Sequence, residues 1–270
     1  MIIILAPNQN KFAAELVAAA FRRSSTFTQV KIWSGEYKNE RCHDLVVAIN
    51  PDEEISKHIL EMVKSDSARK ILLLGKINME LMRIFDLSLR EWPSQIKSAS
   101  RSEKALPGHY AESKAKISYC NLPSYFGNIL QERPLERFDF ADEWNNMGYG
   151  AIRVEDSDWS ISLPVAANSS HSLAEIRSTE FESLAYASLK DLDHHSIMWF
   201  NRTVGPIDSF EWQFIEQFIS GWRSSELPCI PILREIPLDY ECCVTMRLDC
   251  DEDIESARGL RNEYKDLEVP

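Results

Sequence analysis

Two aspartates near the C-terminus stand two residues apart, Asp249 and Asp251, at the end of the run Val244-Thr245-Met246-Arg247-Leu248. Side chains two apart on a strand leave the same face, so these carboxylates converge on one point. Such a pair can hold a cation, or one member can hold a metal while the other takes a proton from water. Three chemistries use this spacing. An EF-hand loop would count Asp249, Asp251 and Asp253 as its first ligands, but it then needs Gly where Ile254 stands and Glu where Leu260 stands. A glycosyltransferase would use Asp249-Cys250-Asp251 as a D-x-D that holds a divalent ion against a nucleotide-sugar diphosphate. A hydrolase would divide the two carboxylates between metal and water. Acidic residues also favour helix N-termini, by roughly 0.3–1 kcal/mol each. That accounts for Glu252, Asp253 and Glu255, and less well for the pair on the strand side.

A strand tip that feeds a helix is where α/β folds place their chemistry. The spacing of Ile254, Ala257, Leu260, Tyr264 and Leu267 predicts a helix directly after the aspartates. Far upstream, Ile2 to Ala6, Phe27 to Trp33, Leu45 to Ile49 and Ile71 to Leu74 read as strands. Between and after them, Lys11 to Arg23, Asp52 to Lys64 and the stretch from Met79 to Phe85 read as helices. This alternation predicts a doubly wound, mainly parallel sheet with flanking helices. Residues 97–114 turn polar and form a flap or linker. Ile117 to Cys120, Ala151 to Val154, Trp159 to Val165 and Leu184 to Ser188 alternate like an added antiparallel layer, and Tyr125 to Gln131 reads as a short helix. Ser196 to Asn201 is a further buried strand, after which Asp208 and Glu211 are spaced as a capping box for a helix reaching Trp222. The prolines from Pro228 to Pro237 impose an extended connector. The chain then divides into an α/β accessory domain, residues 1–238, and a second piece, residues 239–270, that opens another βα unit.

Other residues have weaker claims to chemistry. Asn201 and Arg202 at a strand end are placed to touch a ligand, or to fix the turn they occupy, and Arg247 stands close to the aspartates. The first strand-to-helix turn, Pro7-Asn8-Gln9-Asn10, has no glycine and so no phosphate-cradling loop. No G-x-S-x-G elbow occurs, which leaves the N-terminal half a scaffold or binding role. His171, His194 and His195 lie in polar stretches without metal-ligand spacing and read as surface residues. The six cysteines show no C-x-x-C and read as reduced thiols.

The segment Thr245-Met246-Arg247-Leu248-Asp249-Cys250-Asp251-Glu252-Asp253 resembles the first motif of polysaccharide deacetylases of the NodB-homology type, carbohydrate esterase family four. The resemblance implies that Asp249 is the general base and Asp251 a metal ligand. It implies a (β/α) barrel of which residues 239–270 are the first βα unit, incomplete in this sequence. The stretch from Met198 to Asp208 looks like the domain that precedes such a barrel in some bacterial proteins. The family's other metal ligands come from an H-x-x-x-H motif, which residues 1–270 do not contain. The expectation is therefore the N-terminal part of a metal-dependent de-N-acetylase acting on a bacterial polysaccharide or its precursor. Zinc or a similar divalent ion would be bound in a longer protein and none in this chain, whose missing partner is the rest of the barrel. A non-catalytic module that binds a glycan or a partner is the alternative, with a D-x-D glycosyltransferase behind it.

The bulk properties bound these readings. A net charge of -12 opposes binding to a nucleic-acid backbone or an anionic membrane surface. No apolar run has the length of a membrane span, and the start of the chain lacks the basic and apolar regions of a signal peptide. A cytoplasmic protein is expected on those grounds.

Overall fold

The computed structural model describes residues 1–25, 29–33, 45–94, 115–127, 132–135, 158, 160–167, 170–207, 211–233 and 254–266. The chain forms two compact units, Met1–Ile232 and Leu233–Pro270.

In the first unit, β1 (Ile2–Leu5) and β3 (Leu45–Ile49) are continuous apolar runs, and β4 (Arg69–Leu74) is one from Ile71 on, as strands covered on both faces must be. They align in parallel with β2 (Val30–Trp33) and β9 (His195–Phe200). The other strands are β5 (Ala115–Tyr119), β6 (Glu132–Pro134), β7 (Ser172–Ser178) and β8 (Leu184–Asp191). Together they make one mixed sheet in the order β2-β1-β3-β4-β9-β8-β7-β5-β6. Pairing is parallel from β2 to β9 and antiparallel from β9 to β6.

The fold is thus α/β, but the antiparallel strands do not add a separate layer. They continue the same sheet, because β9 pairs with β4 along one edge and with β8 along the other. The result is as much antiparallel as parallel, where a mainly parallel sheet was expected.

Strand alternation sends neighbouring residues to opposite faces, and helices close both. On one face α1 (Lys11–Ser24) and α4 (Trp212–Ser220) cover Ile2, Ile4, Val47, Leu72 and Met198. On the other, α2 (Glu53–Val63) and α3 (Met79–Ile84) cover Ile3, Leu5, Val46, Ile71 and Trp199. Two of these helices begin on side-chain caps. Asp52 Oδ1 accepts the Ile55 N–H at 3.0 Å, and Asn78 Oδ1 accepts the Leu81 N–H at 3.0 Å.

Several local expectations change. Of the helix expected over Tyr125 to Gln131, the described part is a 3-10 turn, Ser124–Phe126, followed by Gly127 at φ 67°, and residues 128–131 lie outside the described residues. The stretch after Trp159 is not a continuous strand. It makes isolated bridges, Ile161 to Arg202, Val165 to Leu89 and Ala166 to Leu184. The expected strand Ala151 to Val154 and the flap 97–114 lie outside the described residues. In the second unit a 3-10 turn, Ile254–Ala257, leads into α5 (Arg258–Asp266), and the strand expected before it lies outside the described residues.

Candidate functional site

Parallel strands bring their carboxyl ends to one edge of a sheet, and what stands there decides the edge's chemistry. From β1 the chain passes through α1 to β2 on one side, then returns to β3 on the other. The connections leaving β1 and β3 therefore diverge. A cleft of about 460 Å³ opens beside them, a size suited to a small ligand.

Its floor is apolar: Leu5 ends β1 and Ala6 follows it, and Trp33, in register with Leu5, ends β2. One wall is the turn Pro7-Asn8-Gln9. Asn8 and Gln9 are exposed and line the cleft. The turn's Asn10 N–H already donates to the Pro7 carbonyl at 2.8 Å. The other wall is α2, where Glu54, His58 and Glu61 follow at helical spacing and share one stripe with Ile55.

Electrostatics follow from this lining. Among the described lining residues Asp52, Glu54 and Glu61 stand with one lysine, Lys57, so this lining is acidic. Burial lowers the His58 pKa from its ordinary value of 6.5, with Glu61 opposing the shift and Arg69 adding to it. Its imidazole is therefore neutral at physiological pH. Among the described residues no arginine lines the cleft, and its β1 turn lacks glycine, so an anionic phosphate meets Lys57 as the one described cation against three carboxylates.

Asn201 and Arg202 lie on the same edge three strands away, at the end of β9, and are not part of this cleft. Their surroundings assign them to structure. Asn201 is fully buried. Its Oδ1 accepts the Leu163 N–H at 2.8 Å, while its Nδ2 donates to Leu163 O at 2.7 Å and to Ala185 O at 2.9 Å. The side chain extends the strand ladder where the backbone has turned away. Arg202 is 1% exposed and bridges to Ile161.

Between these two regions Asn50, Gly75, Lys76 and Thr203 pack together. Asn50, in the left-handed region at φ 41°, accepts the Lys76 N–H at 2.7 Å and donates to Thr203 Oγ1 at 3.1 Å. Gly75 lies against it at φ +78°, and a Cβ there would come within 2.1 Å of Asn50 Oδ1. Only glycine fits there.

A second cluster of ionisable groups sits deep in the antiparallel part. Glu211, fully buried, accepts from Tyr119 at Oε1 and from Arg133 at Oε2, both at 2.6 Å. Arg133 also donates to the Tyr186 hydroxyl at 3.0 Å. Burial disfavours the charged form of Arg133, but the neighbouring Glu211 outweighs it and raises the guanidinium's pKa. Burial, then the Glu211 charge, raises the Tyr119 pKa well above its usual value. This is a closed network that ties α4 to β5, β6 and β8. Glu211 was expected as a helix-capping residue, and its partner Asp208 lies outside the described residues.

Asp249, Asp251 and Arg247 also lie outside the described residues. Among the described residues no group of three or more His, Cys, Asp or Glu is placed to hold a metal. Nor is any helix among them long and apolar enough to cross a membrane. His195 departs from the surface position expected of it, at 2% exposed. No protein-family model matches the chain, and no curated protein matches it.

The cleft was not legible as a motif because its walls come from separate segments. The one signal available in the sequence was the acidic stripe on α2, Glu54 and Glu61 at helical spacing.

Proposed function

We propose that the chain joins a ligand-binding α/β module to the opening of a polysaccharide deacetylase-type domain. The activity is hydrolysis of N-acetyl groups on a glycan, carried out by a longer protein. The observation that carries this reading is the run Asp249-Cys250-Asp251-Glu252-Asp253 standing immediately before a helical turn that starts at Ile254. A carboxylate pair at such a junction suits hydrolytic chemistry. In this reading Asp249 takes the proton from the attacking water, and Asp251 is a metal ligand.

A catalytic zinc takes three protein ligands and keeps one position for water. Two carboxylates without H-x-x-x-H do not make that set, so residues 1–270 do not fit the metal by themselves. In this reading the remaining metal ligands would come from outside residues 1–270.

The first unit is read as a binding module. Its parallel strands, in the order β2-β1-β3-β4-β9 with helices on both faces, support a doubly wound arrangement. Ligands of such folds bind outside the carboxyl ends where strand order reverses, which is the position of the acidic cleft.

The test is acetate release from N-acetylglucosamine oligomers with added zinc. Residues 1–270 are expected to release none. A longer protein carrying H-x-x-x-H is expected to release it, and to lose about 10²- to 10⁴-fold in rate on Asp249→Asn, the usual cost of a general base. Zinc-dependent turnover by residues 1–270, or a D249N protein of full activity, overturns the proposal.

A further inference from the structure

We infer that the cleft between the β1 turn and α2 takes a de-N-acetylated glycan, a chain of pyranose rings carrying primary ammonium groups. This rests on the binding-module reading above and adds the chemistry of the ligand. Three features of the lining converge on it.

The first is the floor. Leu5 and the indole of Trp33 offer an apolar surface to the C–H face of a sugar ring, and an aromatic face also attracts an adjacent cation. The second is the turn. Asn8 and Gln9 each present an amide N–H donor and a carbonyl acceptor, the complement of a sugar hydroxyl, which both donates and accepts. The third is the charge on α2. Glu54 and Glu61 stand one helical stripe apart with neutral His58 between them, so an ammonium on the ring meets carboxylates.

Other ligand classes fail on the same residues. A phosphate or sugar nucleotide meets the acidic wall, and no described lining residue is an arginine or part of a glycine-rich loop that would offset it. An N-acetylated ring keeps the hydroxyl contacts but has no charge for Glu54 and Glu61. The cleft therefore distinguishes the product of deacetylation from its substrate. A module of that specificity would keep a catalytic domain attached to a polymer as acetyl groups are removed.

The experiment is calorimetric titration of residues 1–270, at mildly acidic pH and low salt, with two probes: the glucosamine tetramer and the N-acetylglucosamine tetramer. The amine is expected to bind at least about tenfold tighter, the equivalent of one charge-assisted hydrogen bond. The double substitution Glu54→Gln/Glu61→Gln is expected to abolish that preference. Both carboxylates are exposed, so the unfolding midpoint should stay unchanged. Trp33→Ala is expected to weaken whatever binding remains. Equal or tighter binding of the acetylated tetramer overturns the inference. So does an absence of binding by both probes, or an amine preference that survives E54Q/E61Q. Acetate release by the longer protein reports on Asp249 and not on the cleft, so this inference and the catalytic reading fail separately.

Discussion

His195 begins β9 with its ring buried at 2% exposure and Nε2 2.9 Å from the Ser65 carbonyl. In that pose Nε2 carries the proton and donates, and Nδ1 finds no partner among the described residues. Protonating Nδ1 would place a charge in a buried position with no acceptor. Burial accordingly lowers the pKa from its ordinary value of 6.5; the Ser65 hydrogen bond opposes this, while Arg69, His194 and Arg223 add to it. A histidine whose folded pKa is depressed contributes stability that is present above the unfolded value and lost as pH falls below it. Unfolding free energy should therefore drop as pH is lowered through about 6.5, by no more than about 1.4 kcal/mol per pH unit from this one group. His195→Gln keeps a donor for Ser65 and should flatten the slope in urea titrations repeated across that range. His58, shifted in the same direction, should supply what slope remains. Identical slopes in the two proteins would refute the assignment. Residue roles of this kind are poorly legible in sequence. His195 sits in a polar stretch, and Asn201 looks like a strand-end ligand residue until its three backbone partners are known.

At the scale of elements, α4 is the piece that joins the two halves of the sheet. Trp212 packs edge-on against Phe21 of α1, ring centres 4.9 Å apart. Phe214 reaches the other way, 4.9 Å from Tyr119 on β5 and 5.9 Å from Phe126. Phe126 in turn stacks on Trp222 at 5.0 Å. One helix thus meets both the parallel and the antiparallel part through aromatic contacts. Phe214→Ala should cost about 3–5 kcal/mol, the usual range for emptying an aromatic site in a core. Because Tyr119 also donates to Glu211, combining F214A with Tyr119→Phe should be non-additive in equilibrium urea unfolding. A loss below about 1 kcal/mol for F214A would mean that α4 does not hold the sheet together.

The elements most legible in sequence were those buried on both faces. Leu45–Ile49 was read to the residue, and Ile2–Leu5 to within one, since a continuous apolar run permits little else. β4 starts earlier than its apolar run because Arg69 and Lys70 belong to it. Lys70 is 1% exposed, its ammonium 3.0 Å from Cys229 Sγ and over the Phe218 ring. β7 was not legible: its pairing with β8 carries register shifts between Ser172 and Glu175, which break the alternation that reveals a half-covered strand. β6 is three residues long and leaves almost no pattern. The cleft belongs to the same class, since it depends on strand order and strand order is set by pairing between distant segments.

For the molecule as a whole, the decisive property of Met1–Ile232 is that its sheet is covered on both faces by its own helices. Fully buried strands contribute apolar burial of about 25 cal/mol per Å², and β1, β3, β4 and β9 obtain it from contacts made within this unit. A net charge of -12 on the full sequence adds solubility without setting the fold. Every residue lining the cleft also falls within Met1–Ile232. Residues 1–232 expressed alone should therefore unfold in a single cooperative transition and bind the glucosamine tetramer with the affinity of residues 1–270. Circular dichroism with urea titration checks the first expectation, and calorimetry checks the second. A non-cooperative transition would show that the sheet needs Leu233–Pro270 to close its core. A cooperative fold that no longer bound the tetramer would place the sugar site outside the cleft.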